Sequence, residues 1–433
     1  MARTGTGDYL RGALWVMPVG SVALALVVGA SLTAVDIGPS SPLDPFLFQG
    51  TSDDARNLLI GISGTMMTVI AVVLGLTLVA LQLSSTQFSP RLLRFFLRDR
   101  VNQLTLSVFV ATFVYATAGL YTVGVRNGQR TDTYPRLAVT LAVVLVFASL
   151  VVLVYFVHHI SHSIQIDEIM LGVEQNTLRV IEHDLPTTGV TQVPVPEPPV
   201  WAVSVPAYTS GYVQTMRTSW LLQIATENNF VCTVGPMVGE HVIKDQPMVW
   251  LWRTSPEEVP PDPAAFAGFV HDSVRIGYER TAEQDVAFGI RQLADIAVKA
   301  LSPAVNDPYT AMQALEHLAD VLAALAPRPL GNLHLYDVHG RLRVGVPGRD
   351  FAYYVDLATG QIRRYGCTEP RVLGALVKVL GTLGPFCRDD VTRGVLVSNL
   401  ALVREAAEHS IAQEGDRHPI LQQAGAVLGR LSG

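Results

Sequence analysis

The sequence predicts an α-helical membrane domain of four transmembrane helices, followed by a mixed α+β cytoplasmic domain. Three observations carry this prediction. Four apolar stretches near the N-terminus each supply the about 20 helical residues that cross a hydrocarbon core. Charged residues make up only 16% of the chain, against about 25% in typical soluble proteins. Beyond the fourth stretch the composition becomes that of an ordinary globular protein.

The predicted membrane domain covers residues 1–165, with helices at 12–34, 58–83, 104–123 and 137–157. The first stretch exceeds the about 7–15 apolar residues of a signal peptide, so we expect it to be retained. Short loops rich in arginine face the cytoplasm. The loop between helices 2 and 3 is rich in arginine and the loop between helices 1 and 2 is rich in aspartate. A protein of the cell membrane with both termini in the cytoplasm is therefore predicted, although arginines between helices 3 and 4 are a counter-signal.

Helix 2 differs from the others because small and polar residues recur along one of its faces. The candidate pore-lining residues are Gly61, Thr65, Thr68, Gly75, Gln82 and Thr86. Two interpretations stay open: close helix packing in lipid, or a water-facing lining across a symmetric assembly. No acidic or basic residue lies in the middle of any of the four spans. This argues against a proton relay or a carboxylate ion site within the membrane.

An arginine-rich segment follows helix 2 directly. Arg91, Arg94 and Arg98 alternate there with leucines and phenylalanines. Such a segment is expected to lie along the cytoplasmic interface, with its arginines toward lipid phosphates. Ordinary anchoring by positive residues is one interpretation, and a vestibule that attracts anions is the other.

His158 and His162 stand one helical turn apart at the end of helix 4. This spacing suits a metal pair or a pH sensor. Since no carboxylate clearly shares their face, they are weak metal candidates, and interfacial histidines without a ligand role are the alternative. The three cysteines match neither a disulfide framework nor a CxxC metal motif. We therefore expect no metal and no cofactor.

The remaining chain divides into four predicted parts. These are a helix and proline-rich linker (166–205), a small β-barrel-like subdomain (206–262), a helical subdomain (263–332), and a β-hairpin region with C-terminal helices (333–433). The barrel is predicted from short strand candidates between turns, one of them at Leu221–Ala225. No P-loop, GxSxG, HExxH or glycine-rich dinucleotide motif occurs, so we assign no catalytic residue.

The most distinctive soluble stretch runs from Glu283 to Ala311. Its apolar periodicity predicts a helix that breaks at Ser302-Pro303, after which Asn306-Asp307 can cap the next helix. The residues singled out are Asp285, Arg291, Asp295, Ser302, Asn306 and Asp307. Asp295, Asn306 and Asp307 together could hold a cation or a partner loop. A helix–loop–helix corner with capping side chains is the alternative interpretation.

Four segments of the sequence, taken together, resemble a known protein family. They are Thr77–Leu83, Gln87–Arg91, His158–Ile160 and Phe288–Pro308. The family they resemble is the prokaryotic predicted membrane proteins grouped as domain of unknown function 2254, and the resemblance extends over nearly the whole chain. It implies a multi-helix membrane segment with a soluble C-terminal domain and no assigned activity. Ala304 stands where glycine would be expected.

Two functional hypotheses follow. The first is an oligomeric ion channel or transporter, in which helix 2 lines the path and the cytoplasmic domain regulates it. The second is a membrane-anchored sensor or scaffold whose cytoplasmic domain binds a ligand or partner. The expected partners are the lipid bilayer, further copies of the chain, and an ion or small molecule. A net charge of −6 indicates no basic surface for nucleic acid.

Overall fold

A computed structural model of the protein describes residues 15–33, 35, 42, 44–87, 99–123, 125–126, 129–130, 134–163 and 165–432. The chain forms two compact units, the first ending at Glu168 and the second beginning at Ile169. The first contains the long apolar helices and the second contains mixed α and β structure. This order of elements agrees with the predicted fold class.

Four long helices make up the first unit: α1 (Val16–Thr33), α2 (Ser52–Gln87), α3 (Arg100–Gly119) and α4 (Arg136–Ser163). Each is long and apolar enough to cross a membrane, which confirms the four predicted helices. Helix α2 starts at Ser52 rather than at 58, because Thr51 and Asp54 bond each other there. The Asp54 carboxylate accepts from the Thr51 backbone N–H at 2.9 Å, and the Thr51 hydroxyl accepts from the Asp54 N–H at 3.2 Å. This reciprocal cap begins the helix well before the apolar run.

Helix α3 is hydrogen-bonded to each of the other three helices. Side-chain bonds of 3.0, 3.2 and 3.0 Å join Ser21 to the Ser107 carbonyl, Ser63 to Thr117, and Thr112 to Ser149. Bonds of this kind stabilise helix packing in lipid, where few other polar partners exist. Between α3 and α4, the short strands β1 (Val125–Arg126) and β2 (Gln129–Arg130) pair antiparallel.

The connection between α1 and α2 is bonded to the beginning of α4. Arg136 forms an ion pair with Asp44 at 2.7 Å, and its Nε donates to the Phe48 carbonyl at 3.0 Å. The Tyr134 hydroxyl donates to the Gly50 carbonyl at 2.5 Å. One of the arginines that counted against the predicted orientation therefore has a carboxylate partner in its own unit.

Two sheets form the β part of the second unit. Their strands are β3 (Val190–Thr191), β4 (Val203–Pro206), β5 (Gly211–Met216), β6 (Val231–Val234), β7 (His241–Val242), β8 (Pro247–Trp252), β9 (Val274–Gly277), β10 (Asn332–Tyr336) and β11 (Leu342–Val346). The larger sheet has the strand order β3-β10-β11-β6-β8-β4, with β11 and β6 parallel and the other neighbours antiparallel. The smaller sheet has the order β7-β5-β9. Apolar side chains of both sheets share one core.

The β structure differs from the expectation in two respects. Leu221–Ala225, predicted as a strand, lies within helix α6 (Thr218–Glu227), whose buried residues Leu221 and Ala225 are one turn apart. Second, strands from three separate parts of the chain build the larger sheet, so its members extend beyond the range 206–262. A parallel neighbour such as β11 for β6 requires a long crossover, which short-range patterns do not reveal.

Helices form the rest of the second unit, and the first of them begins shortly before Ile169. They are α5 (Ile166–His183), α7 (Pro263–Ser273), α8 (Val286–Ala300), α9 (Pro308–Leu325), α10 (Phe351–Tyr365), α11 (Pro370–Leu383), α12 (Asp390–Ser410) and α13 (Glu414–Ser432). Helix α10 follows directly after the antiparallel pair β10 and β11. Asp350 caps α10 by accepting from the Tyr353 N–H at 2.8 Å.

Candidate functional site

The small-residue face of α2 is the candidate site in the first unit, and the described chain leaves it uncovered. Gly61, Thr65, Thr68, Gly75 and Gln82 are all exposed. At 100° per residue they lie within about 60° of Thr68 around the helix axis. A methyl group added at Gly61 or Gly75 would meet no atom within 4 Å. None of the helices of the described chain therefore packs closely against these glycines.

The opposite face of α2 packs into the bundle. Leu59, Ile62, Met66 and Val73 are buried there, at 1%, 8%, 5% and 2% exposure. The inward side thus carries bulky apolar groups, whereas the outward face mixes glycines and hydroxyls with exposed valines, Val72 and Val79 at 53% and 52% exposure. Small residues on the face of a membrane helix allow a neighbouring helix to approach closely.

The hydroxyls on the outward face already donate within their own helix. Thr65 donates to the Gly61 carbonyl at 2.8 Å, and Thr68 donates to the Gly64 carbonyl at 3.3 Å. Their oxygens keep lone pairs that can accept further hydrogen bonds. The face is therefore uncharged and weakly polar, and it can either accept a closely packed helix or contact water and passing ions.

Two parts of the predicted site lie at the edge of the described chain or beyond it. Thr86 is in the last turn of α2, where side chains fall outside the described residues. Arg91, Arg94 and Arg98 lie outside the described residues altogether. The arginine-rich segment consequently stays a sequence-based expectation.

Sequence reasoning missed a second polar feature, which lies inside the first unit. The buried polar side chains of α3 are Asn102, Gln103, Thr105, Ser107 and Thr112. Gln103 is 3% exposed, and its amide nitrogen has no hydrogen-bond partner among the residues that the structure describes. The signal in the sequence was the run of polar residues in the first half of the third apolar stretch and directly before it. Such residues in a span commonly face the bundle interior.

Near the start of α3 and the end of α4, a histidine outside the predicted pair is the one that contacts a carboxylate. His158 and His162 have ring centroids 4.4 Å apart. His159 instead lies 2.5 Å from the Asp99 carboxylate. Asp99 also caps α3 by accepting from the Val101 N–H at 2.9 Å. Throughout the described chain, no cluster of three or more histidine, cysteine, aspartate or glutamate side chains could hold a metal ion.

In the second unit, Asp285 is a buried structural group. Its side chain caps α8 by accepting from the Phe288 N–H at 3.1 Å, and it receives two bonds from Arg280 at 2.5 and 3.0 Å. Burial alone would lower the pKa of Arg280, but the Asp285 carboxylate beside it raises that pKa. This pair anchors the loop before α8 and holds the start of the helix.

Asn306 and Asp307 lie beyond the other end of α8. Asp307 caps α9 by accepting from the Thr310 N–H at 3.1 Å and from its hydroxyl at 2.6 Å. These bonds hold the pKa of Asp307 below its usual range. Asn306 has φ of +51° and makes the turn between the helices.

The six residues singled out in this stretch do not converge on one point. Arg291 and Asp295 lie within α8, and Ser302 donates to the Lys299 carbonyl at 2.7 Å just after it. The 15 residues of α8 separate its two ends by about 22 Å at 1.5 Å per residue. The local contacts of Ser302, Asn306 and Asp307 are those of a capped helix–loop–helix corner.

Four membrane-length apolar helices and a large α/β unit place the protein in the class of multi-span predicted membrane proteins. More specifically, the chain belongs to the predicted membrane protein family DUF2254, whose profile matches residues 11–382.

Relatives in mycobacteria match this chain in sequence along most of their length. An uncharacterized protein of Mycobacterium tuberculosis H37Rv is 42% identical over 421 residues, which is 96% of this chain and 80% of the relative. An uncharacterized protein of Mycobacterium bovis matches with the same identity and coverage. No solved structure matches the chain.

Proposed function

We propose that the protein is an oligomeric ion channel or transporter of the cell membrane, in which α2 of several copies surrounds the path. The observation that carries the proposal is the uncovered outward face of α2, where Gly61, Thr65, Thr68 and Gly75 lie side by side. The second unit would regulate the path from the cytoplasm.

Glycines and threonines at this spacing favour a neighbouring helix at close range. Gly61 and Thr65 are four residues apart, as are Gly64 and Thr68, which is the small-xxx-small pattern of packed membrane helices. Because no described helix of the same chain fills this position, a second copy is the simplest partner. Around a symmetry axis the same hydroxyls would face a shared path rather than a single partner.

The arginines after α2 extend the proposal to the ends of the path. Arg91, Arg94 and Arg98 follow α2 on the side that we assign to the cytoplasm. Repeated around an axis, they would form a ring that favours anions, or would bind lipid phosphates at the interface. The same arginines underlie the proposed topology, with both termini inside the cell.

The direct test is current or flux from the purified full-length protein. Reconstituted into planar bilayers or liposomes, it is expected to give a conductance or an ion flux. Thr68→Leu, which adds an apolar side chain to the path, should reduce that flux by about tenfold, since a hydrophobic constriction gates by excluding water. Thr68→Ser, which keeps the hydroxyl, is the matched control. No flux from the wild type, or equal flux from both variants, would refute the proposal.

One observation favours the alternative of a membrane-anchored sensor or scaffold. The second unit clusters into a compact body of its own, with apolar side chains of both sheets in a common core. If this unit carries the function alone, a fragment from Ile169 onward should fold and bind a small molecule or protein without the helices. A fragment that is folded yet binds no more than background would count against this alternative.

A further inference from the structure

A cavity of about 330 Å³ lies in the first unit among all four of its helices. Its wall includes Leu26 and Ala30 of α1, Leu59 of α2, Tyr115 and Ala118 of α3, and Val139 of α4. It lies at the end of the unit that carries the α1–α2 and α3–α4 connections, as the lining residues Thr33 and Thr122 show. Leu59 is on the inward side of α2, so the cavity is separate from the proposed path.

The cavity cannot hold water favourably. Its wall is apolar apart from three hydroxyl groups, and no charged side chain is among these lining residues. The Tyr115 hydroxyl already donates to the Ala138 carbonyl at 2.9 Å. A buried water needs about two to four polar partners, whereas apolar cavities of about 150 Å³ stay dry and take up apolar molecules. The space therefore suits an uncharged apolar occupant.

The cavity leads from the surface of α1 into the bundle. Leu26, Ala30 and Thr33 are exposed, whereas Leu59 and Val139 at the other side are each 1% exposed. Gly29 lies beside this entrance, and a methyl group there would come within 3.6 Å of the Tyr115 ring. That distance is an ordinary van der Waals contact, so the Tyr115 ring forms the wall of the cavity opposite Gly29.

We propose that this cavity binds one acyl chain of a bilayer lipid. The exposed side of α1 would face acyl chains in a membrane, and the entrance opens on that side. The volume falls within the about 300–1,000 Å³ of ligand pockets. A headgroup would require charged or strongly polar lining groups, which these residues do not provide. An inserted chain fills space between α1 and the other three helices.

The test uses the full-length protein in lipid nanodiscs containing a phospholipid with a photoactivatable diazirine near the end of one chain. After illumination, adducts are mapped by mass spectrometry. Lipids at the outer surface reach exposed residues such as Leu24 and Val27 of α1. Adducts on these residues give the background level of labelling. Tyr115 and Val139, at 4% and 1% exposure, are reached only by a chain inside the cavity. Phe109 and Phe156, buried elsewhere, should stay unlabelled.

Two variants narrow the cavity. Ala30→Leu adds bulk at its exposed entrance, and Ala118→Leu adds bulk to its wall. Each should reduce adducts on Tyr115 and Val139 by about tenfold, the factor for displacing about two buried methylene groups. Ala23→Leu, an exposed position on α1 outside the lining, is the matched control and should leave labelling unchanged. Adducts confined to exposed residues, or unchanged labelling in folded Ala30→Leu, would overturn the proposal.

Discussion

Asp44, in the connection between α1 and α2, forms an ion pair with Arg136 at the first residue of α4, with 2.7 Å between Oδ1 and Nη1. The Arg136 Nε also donates to the Phe48 carbonyl at 3.0 Å. The two side chains are 27% and 32% exposed, so solvent screens the pair only partly. This relationship fixes the connection against the bundle.

Loss of this ion pair should loosen the first unit. Arg136→Ala is expected to lower the free energy of unfolding in detergent by about 1 kcal/mol, because a partly exposed pair and a hydrogen bond are lost together. Arg136→Lys keeps the charge but loses the two directed N–H groups of the guanidinium. Its free energy of unfolding should therefore lie between those of Arg136→Ala and the wild type. Thermal unfolding of both variants measures the effect. Equal stability of Arg136→Ala and the wild type would show that contacts other than those of Arg136 hold the connection between α1 and α2.

Close approach of α5 and α8 requires glycine at position 289. A methyl group there would overlap the Thr177 hydroxyl, and Thr177 is buried. Gly289→Ala should therefore cost about 2 kcal/mol, as overpacking in a core does. Gly172→Ala is the control, because its methyl group would meet no atom within 4 Å and alanine favours a helix.

Chemical denaturation of the full-length protein compares these variants. The double variant Gly289→Ala/Thr177→Ala should recover part of the loss, since it removes the overlapping hydroxyl. A neutral Gly289→Ala would contradict the packing described for α5 and α8.

Asp337 makes the second unit sensitive to acid. Burial alone would raise its pKa, but hydrogen bonds from the Arg341 N–H at 3.0 Å and the Arg343 side chain at 2.9 Å outweigh burial and hold the pKa well below its usual range. Since the unfolded value is about 3.9, the stabilisation is complete above that pH. It is lost as the pH falls toward the lower folded value.

Asp337→Asn should therefore be less stable than the wild type at neutral pH, and the difference should shrink below about pH 4. Unfolding measured between neutral and acidic pH tests this. Asp320→Asn, at an exposed position on α9, is the control and should follow the wild-type curve. If the difference in stability between Asp337→Asn and the wild type stays constant with pH, the lowered pKa assigned to Asp337 is contradicted.

Asn306 separates the two interpretations of the corner between α8 and α9. With φ of +51° it occupies a conformation that glycine adopts without strain. If Asn306 serves only the turn, Asn306→Gly should keep or slightly raise stability, and Asn306→Val should lower it by about 1 kcal/mol. Binding of Ca²⁺ or Mg²⁺ measured by calorimetry tests the other interpretation. Cation binding that Asn306→Gly abolishes would show that the corner is a ligand site.

The four apolar helices could be predicted from the sequence, because length and hydropathy alone define a membrane-length helix. It placed the start of α2 too late, since the polar cap of Thr51 and Asp54 lies outside the apolar run. Leu221–Ala225 was misassigned because a short apolar run fits either a strand or a helix. The larger sheet joins β6 to β11 across more than a hundred residues, a pairing that local patterns cannot specify.

The candidate site was predicted only in part. The α2 face was visible because glycines and threonines recur with helical periodicity along one side of the helix. Gln103 and its polar neighbours on α3 were overlooked, because composition does not say which side of a span faces the bundle. The cavity beside Tyr115 depends on how four helices pack, and no single segment encodes it.

The central claim is that the outward face of α2 contacts water within an assembly. Thr68→Cys in the membrane-embedded protein, exposed to a membrane-impermeant thiol reagent, tests it most directly. The native cysteines at 232, 367 and 387 all lie beyond the membrane helices, so peptide mapping separates their labelling from that of position 68. The account predicts labelling at Thr68→Cys and none at Ala148→Cys, an exposed position on α4. Equal protection of both cysteines in a folded protein would contradict it.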